Sequence, residues 1–123
     1  MTTIAERAIT TDDGRAVTVE IHAPEPDPAS PHGDWRCAFR LTGALDADDY
    51  GHGLDGLSAL VNAIQGVSKY LDDSGLVLNW VGGEPGDHGV PRIIPQSFGR
   101  AFARDIEDEI DRRIAALTPP GTP

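Results

Sequence analysis

Four histidines and a scatter of carboxylates are the residues best suited to chemistry in this sequence: His22, His32, His52 and His88, with Asp34, Asp55, Glu84 and Asp87 near them in the chain. A histidine titrates near neutral pH and can move a proton or hold a metal, and a carboxylate beside it orients the ring or shares the ligation. Zinc sites usually show their ligands in closely spaced pairs, whereas these histidines and the single cysteine, Cys37, are far apart along the chain. No metal ligand and no cofactor is assigned. The segment 82–86, Gly-Gly-Glu-Pro-Gly, lacks the lysine and hydroxyl that a nucleotide loop uses. None of Ser30, Ser58, Ser68, Ser74 or Ser97 sits in the sharp strand-to-helix turn that exposes a serine nucleophile. Cys37 shares its strand phase with Trp35 and Phe39, so it is expected to be buried, where a thiolate is costly to form. No catalytic residue is assigned, and a binding role is favoured over an enzymatic one.

The elements that must position these side chains are organised around one helix, 54–71. Leu57, Leu60, Val61, Ile64, Val67 and Leu71 recur at three- and four-residue steps and define an apolar stripe. Asp55 is placed to cap its start and Gly75 to end it. Before it come strands over 4–9 and 17–23, joined by a hairpin at Asp13-Gly14, in which Val17, Val19 and Ile21 alternate with Thr18, Glu20 and His22. The prolines at 24, 26, 28 and 31 make an extended loop. Strands follow over 35–41 and 50–53, and after the helix over 76–81. A Gly/Pro-rich loop, 82–91, leads to a short extended segment at 92–94 and a second helix, 97–117, capped by Ser97. Its apolar residues, Phe98, Phe102, Ile106, Ile110 and Ile114, recur every four positions. The expectation is one α+β domain over 1–117, a mostly antiparallel sheet of four to five strands against two helices in the order β-β-β-β-α-β-α, with a disordered tail at 118–123. Trp35, Phe39, Leu60, Ile64, Leu78, Trp80, Phe102 and Ile106 are the expected core.

If the strands at 17–23, 35–41 and 50–53 form an antiparallel meander, the end of the first, the start of the second and the end of the third share one edge. With the loop 82–91 reaching the same place, that edge would hold His22, His32, Asp34, His52, Asp55, Glu84, Asp87 and His88. The plain reading of these residues is solvated loops and helix caps. The sharper reading is a ligand, metal or partner site at a helix N-terminus.

With 123 residues and 39% hydrophobic content, the chain supports one core. A formal net charge of -10 argues against nucleic acid and anionic membranes, which require a basic face, and for a basic protein partner. Residues 42–97 hold eight acids against two bases. No apolar run nears the ~20 residues of a membrane span, and no leader opens the chain, so a cytoplasmic protein is expected. Three classes follow: an acidic binding protein of immunity or adaptor type; a small enzyme with His52 or His88 as base and Asp34 or Asp55 orienting it, or a ligand- or metal-binding protein with a His/Asp site at that edge; and a structural homodimer that buries part of the second helix.

Gly33-Asp34-Trp35-Arg36-Cys37, then Gly53-Leu54-Asp55 with Leu57, Ala59 and Leu60, then Leu78 and Trp80, then Gly86, Gly89 and Pro91 resemble a family of short bacterial proteins known only as a domain of unknown function. The resemblance spans roughly the middle half of the chain, and its motifs are mostly structural. It implies no activity and no site residue. Gly56 and Ser58 depart from it as poor helix formers at a helix start.

Overall fold

A computed structural model of the chain describes residues 2–119 and 121. They form two compact units, Met1–Arg92 and Ile93–Pro123. The first carries the sheet: β1 (Thr3–Thr11), β2 (Ala16–His22), β3 (Glu25–Pro26), β4 (Trp35–Gly43), β5 (Ala47–Gly53), helix α1 (Gly56–Asp73) and β6 (Leu78–Asn79). Every pairing is antiparallel, and the strands run across the sheet as β6-β1-β2-β4-β5. The short β3 extends β2 along the same side of β4, because Glu25 and Pro26 pair with Arg36 and Trp35 while β5 occupies the other side. The α+β class stands, with six strands in place of the expected four or five; the additional one is the two-residue β3, formed inside the proline loop.

The alternation in β2 and β4 survives in the fold. Val17, Val19, Cys37, Phe39 and Leu41 point to one face and are buried there with Ile9, Leu78 and one side of α1. Thr18, Glu20, Arg36, Arg40 and Thr42 take the other face. The helix is where expected, but its inward side is rotated. Ala59, Ala63, Val67 and Leu71 are buried, Leu60, Val61 and Ile64 are half-buried, and Leu57 is 71% exposed. The reason lies in β5: a Cβ on Gly51 would collide with the backbone nitrogen of Ala63 and stand 2.5 Å from the Ala59 oxygen. Two glycines, Gly51 and Gly53, let the helix backbone settle directly on the strand, and only alanine-sized side chains fit between. Asp55 caps α1 as expected, accepting from the Ser58 backbone and hydroxyl at 2.8 and 2.9 Å.

β5 is longer than the expected 50–53 and forms one edge of the sheet. Two of its edge groups are already engaged: Tyr50 N–H donates to its neighbour's carboxylate, Asp49 Oδ1, at 2.8 Å, and the His52 carbonyl accepts from Asn62 Nδ2 at 2.6 Å. The strand after the helix is shorter than 76–81. Only Leu78 and Asn79 pair with β1, because the Trp80 carbonyl accepts Gly83 N–H in a turn that ends the ladder.

In the second unit a short 3-10 turn, Gln96–Phe98, precedes α2 (Arg100–Leu117). Ser97 lies inside the turn, and Gly99 stands at the helix N-cap with no side-chain bond. No described residue of α2 is buried; Phe102 is 40% exposed, and neither it nor Ile106 joins the core. The expected extended segment at 92–94 forms no strand. Of the expected tail, Pro120, Thr122 and Pro123 lie outside the described residues.

Cys37 is fully buried, its thiol donating to the His22 carbonyl oxygen at 3.2 Å, and burial pushes its pKa up. A thiol reagent is expected to label it only as the protein unfolds. Fast stoichiometric labelling of the native protein, read by intact mass, would contradict this.

Candidate functional site

The meander β2-β4-β5 brings five of the eight edge residues to one end of the sheet and leaves three at the other. His22 ends β2, Asp34 precedes β4, His52 lies near the end of β5, Asp55 starts α1, and His32 sits in the proline loop. Glu84, Asp87 and His88 do not join them. The early end of β6 folds their loop back beside the β1–β2 hairpin: the Asn79 side chain donates to Asp12 Oδ1 at 2.9 Å and accepts Gly86 N–H at 2.6 Å. His88 Nε2 meets Asp72 Oδ1 at 2.7 Å, at the C-terminal end of α1 and the opposite end from Asp55.

At the first end the carboxylates named from sequence are committed to backbone and serine. Asp34 accepts from Ser30 Oγ at 2.9 Å, which ties the proline loop closed. Asp55 is held below the usual carboxylate range by the Ser58 amide first and the Ser58 hydroxyl second. A carboxylate lowered in the fold stabilises it above the ordinary range, and that contribution fades as pH falls through the lowered value. The histidines therefore find other partners. His52 Nδ1 lies 3.7 Å from Asp27 Oδ2, and its ring is tilted on Tyr50 with centroids 6.0 Å apart. His22 is only 7% exposed, with Nε2 3.6 Å from Glu20 Oε2 and Nδ1 enclosed without a hydrogen-bond partner among the described residues. His32 is exposed. The expected pairings of His52 or His88 with Asp34 or Asp55 do not form; Asp27 and Asp72 are the partners. Among the described residues no three His, Cys, Asp or Glu side chains converge as a metal-binding group.

The other end gathers charge. The β1–β2 turn contributes Asp12 and Asp13, the β4–β5 turn Asp46, the end of α1 Asp72 and Asp73, and the folded-back loop Glu84 and Asp87, all exposed. Arg15 pairs with Asp13 and Lys69 with Asp73, each at 2.9 Å, and His88 with Asp72. Among the described residues Asp46 and Asp87 accept only backbone amides, from Gly43 at 3.1 Å and Gly89 at 2.7 Å. A counting of acids along 42–97 signals the excess, but only the topology shows that Asp12 and Asp13 add to it.

Sequence reasoning also missed an arginine–tryptophan stack. The Arg7 guanidinium lies 3.7 Å over the Trp80 ring, and Arg7 Nη1 donates to the His88 carbonyl at 3.4 Å. The alternation of β1 puts Arg7 in phase with Ile9 on the helix-covered face, the one signal that could have found it.

The sequence pattern of the family described as a domain of unknown function, DUF6968, matches residues 5–92. These are the residues of the first unit, and α2 lies outside the match. No curated protein matches the chain, and no solved structure matches it. No helix among the described residues is long and apolar enough to cross a membrane.

Proposed function

The chain belongs to the DUF6968 family, and on that premise we propose that it is a small acidic binding protein, of immunity or adaptor type, that takes a basic protein partner at the acidic end of its sheet. The observation that carries this reading is the convergence of three turns and a helix end on one pole, where seven exposed carboxylates, Asp12, Asp13, Asp46, Asp72, Asp73, Glu84 and Asp87, face Arg15, Lys69 and the half-buried His88. Exposed charge of one sign steers an oppositely charged partner and raises its association rate more than it deepens the final affinity. A cytoplasmic setting fits this reading.

The test is capture of the partner from the native host, followed by association kinetics at two ionic strengths. Glu84→Lys with Asp87→Lys is expected to slow association by roughly threefold or more at low salt, and by less at high salt, where screening has already removed part of the steering. Because the Asp87 carboxylate also holds Gly89 N–H, the Glu84→Lys variant alone separates charge from loop geometry. An acidic partner, or a rate indifferent to both the reversal and the salt, would reject the proposal.

A further inference from the structure

We propose that the groove between β1, β2 and α1 binds a small monocarboxylate with a ring-sized apolar body, its carboxylate held by the Arg7 guanidinium. The groove has a volume of about 170 Å³ and is walled by Val19 and Ile21 of the sheet, Ile64 and Val67 of α1, and Val90, with Arg7 at its border. An aliphatic cavity of about 150 Å³ takes a benzene ring, so the space suits one ring or a branched chain of similar bulk.

Arg7 requires that the occupant carry an anion. The chain has 20 acidic residues to 10 basic ones; Arg15, Arg36, Arg40, Arg100, Arg112 and Arg113 each hold a carboxylate, while Arg92 and Arg104, which pair with none among the described residues, are exposed to water. Half-buried Arg7 holds none among the described residues, and the contact with the His88 carbonyl is its one hydrogen bond there. Stacking on Trp80 occupies the flat face of the guanidinium and leaves its N–H edge, the edge that grips a carboxylate through two parallel bonds. A cation withdrawn from water with donors unused is completed best by an anion. Glu6 also borders the groove, but strand alternation sends its side chain toward the opposite face, in register with Glu20, and among the described residues it forms no ion pair with Arg7.

The loop is shaped to hold this arginine. Gly89 has φ +73°, and a Cβ there would collide with the indole nitrogen of Trp80 and stand 2.7 Å from Arg7 Nη1. His88, whose carbonyl takes the arginine, is fixed in turn through its ring to Asp72. The placement of a positive, half-buried donor beside an apolar groove is independent of the partner proposed above.

The probe is benzoate, titrated into the full chain and followed by NMR of methyl and guanidinium groups, with benzamide as the neutral counterpart. Saturable shifts confined to Arg7, Val19, Ile64, Val67 and Val90 are expected, with benzamide about tenfold weaker or worse. Arg7→Lys keeps the charge and loses the fork, so it should weaken benzoate and leave benzamide unchanged. Val90→Trp, filling the groove from a half-buried wall, should abolish binding of both while the spectrum stays that of a folded protein. Absence of saturation at about 10 mM benzoate, a level that fills a site of about 1 mM affinity, overturns the proposal. So does equal affinity for benzamide, or a set of shifts that maps elsewhere on the fold.

Discussion

Replacing Gly51 with alanine is expected to unseat α1 from the sheet and to cost about 3 kcal/mol or more. One added methyl group would collide with the Ala63 backbone nitrogen and stand 2.5 Å from the Ala59 oxygen and 2.7 Å from the Ala63 Cα. Nothing at that contact can rotate away, since all three atoms belong to helix backbone. The helix must lift as a body, and lifting opens gaps beneath Ala59, Ala63, Val67 and Leu71 together. Thermal unfolding followed by circular dichroism should show the midpoint fall by about 10 °C or more. A midpoint within a degree or two of the wild type would mean that the helix backbone does not rest directly on Gly51.

Phe39→Ala is expected to cost about 3–5 kcal/mol. Phe39 is 2% exposed, lies at the centre of β4 between Ile21 and Asp49, and meets Tyr70 edge-on with centroids 5.8 Å apart. Above it the helix offers Gly66, so close that a Cβ there would come within 3.0 Å of the ring. A glycine has no side chain with which to refill the space, and the cavity should persist. Urea unfolding should show a lower midpoint at nearly constant slope. A loss below about 1 kcal/mol would place the ring outside the core. The two substitutions attack one interface from opposite directions, one by excess volume and one by deficit.

Much of this interface is legible in the sequence. Val17, Val19 and Ile21 alternate as a half-buried strand must, Asp55 stands where a helix needs an acceptor, and Asp13-Gly14 marks the hairpin. The rotation of α1 is not, because weighing residues by size puts Leu57, Leu60 and Val61 inward. Close backbone approach rewards the smallest residues, and the signal for it was the pairing of Gly51 and Gly53 with Ala59 and Ala63. The full length of β5 escaped the apolar pattern for the same reason: its covered side is Ala47, Asp49, Gly51 and Gly53, and its other side is Asp48, Tyr50 and His52. The proposed edge divided because the turn after Trp80 depends on contacts with β1, residues some seventy positions earlier. Short-range patterning does not carry that information. The acidic excess of 42–97 was plain in the sequence, whereas its union with the β1–β2 turn required the topology.

The two engaged groups on β5 bear on how copies of this protein behave toward one another. An open strand at the border of a sheet is a template on which a second chain can crystallise its own backbone, the first step of fibrillar growth. Here a newcomer would have to evict the Asp49 carboxylate from Tyr50 N–H and the Asn62 amide from the His52 carbonyl. It would also have to bring its own backbone against the negative charge of Asp49. The border is thus guarded at these two groups by residues that contribute nothing to the hydrophobic core, which opposes the recruitment of a second strand onto it.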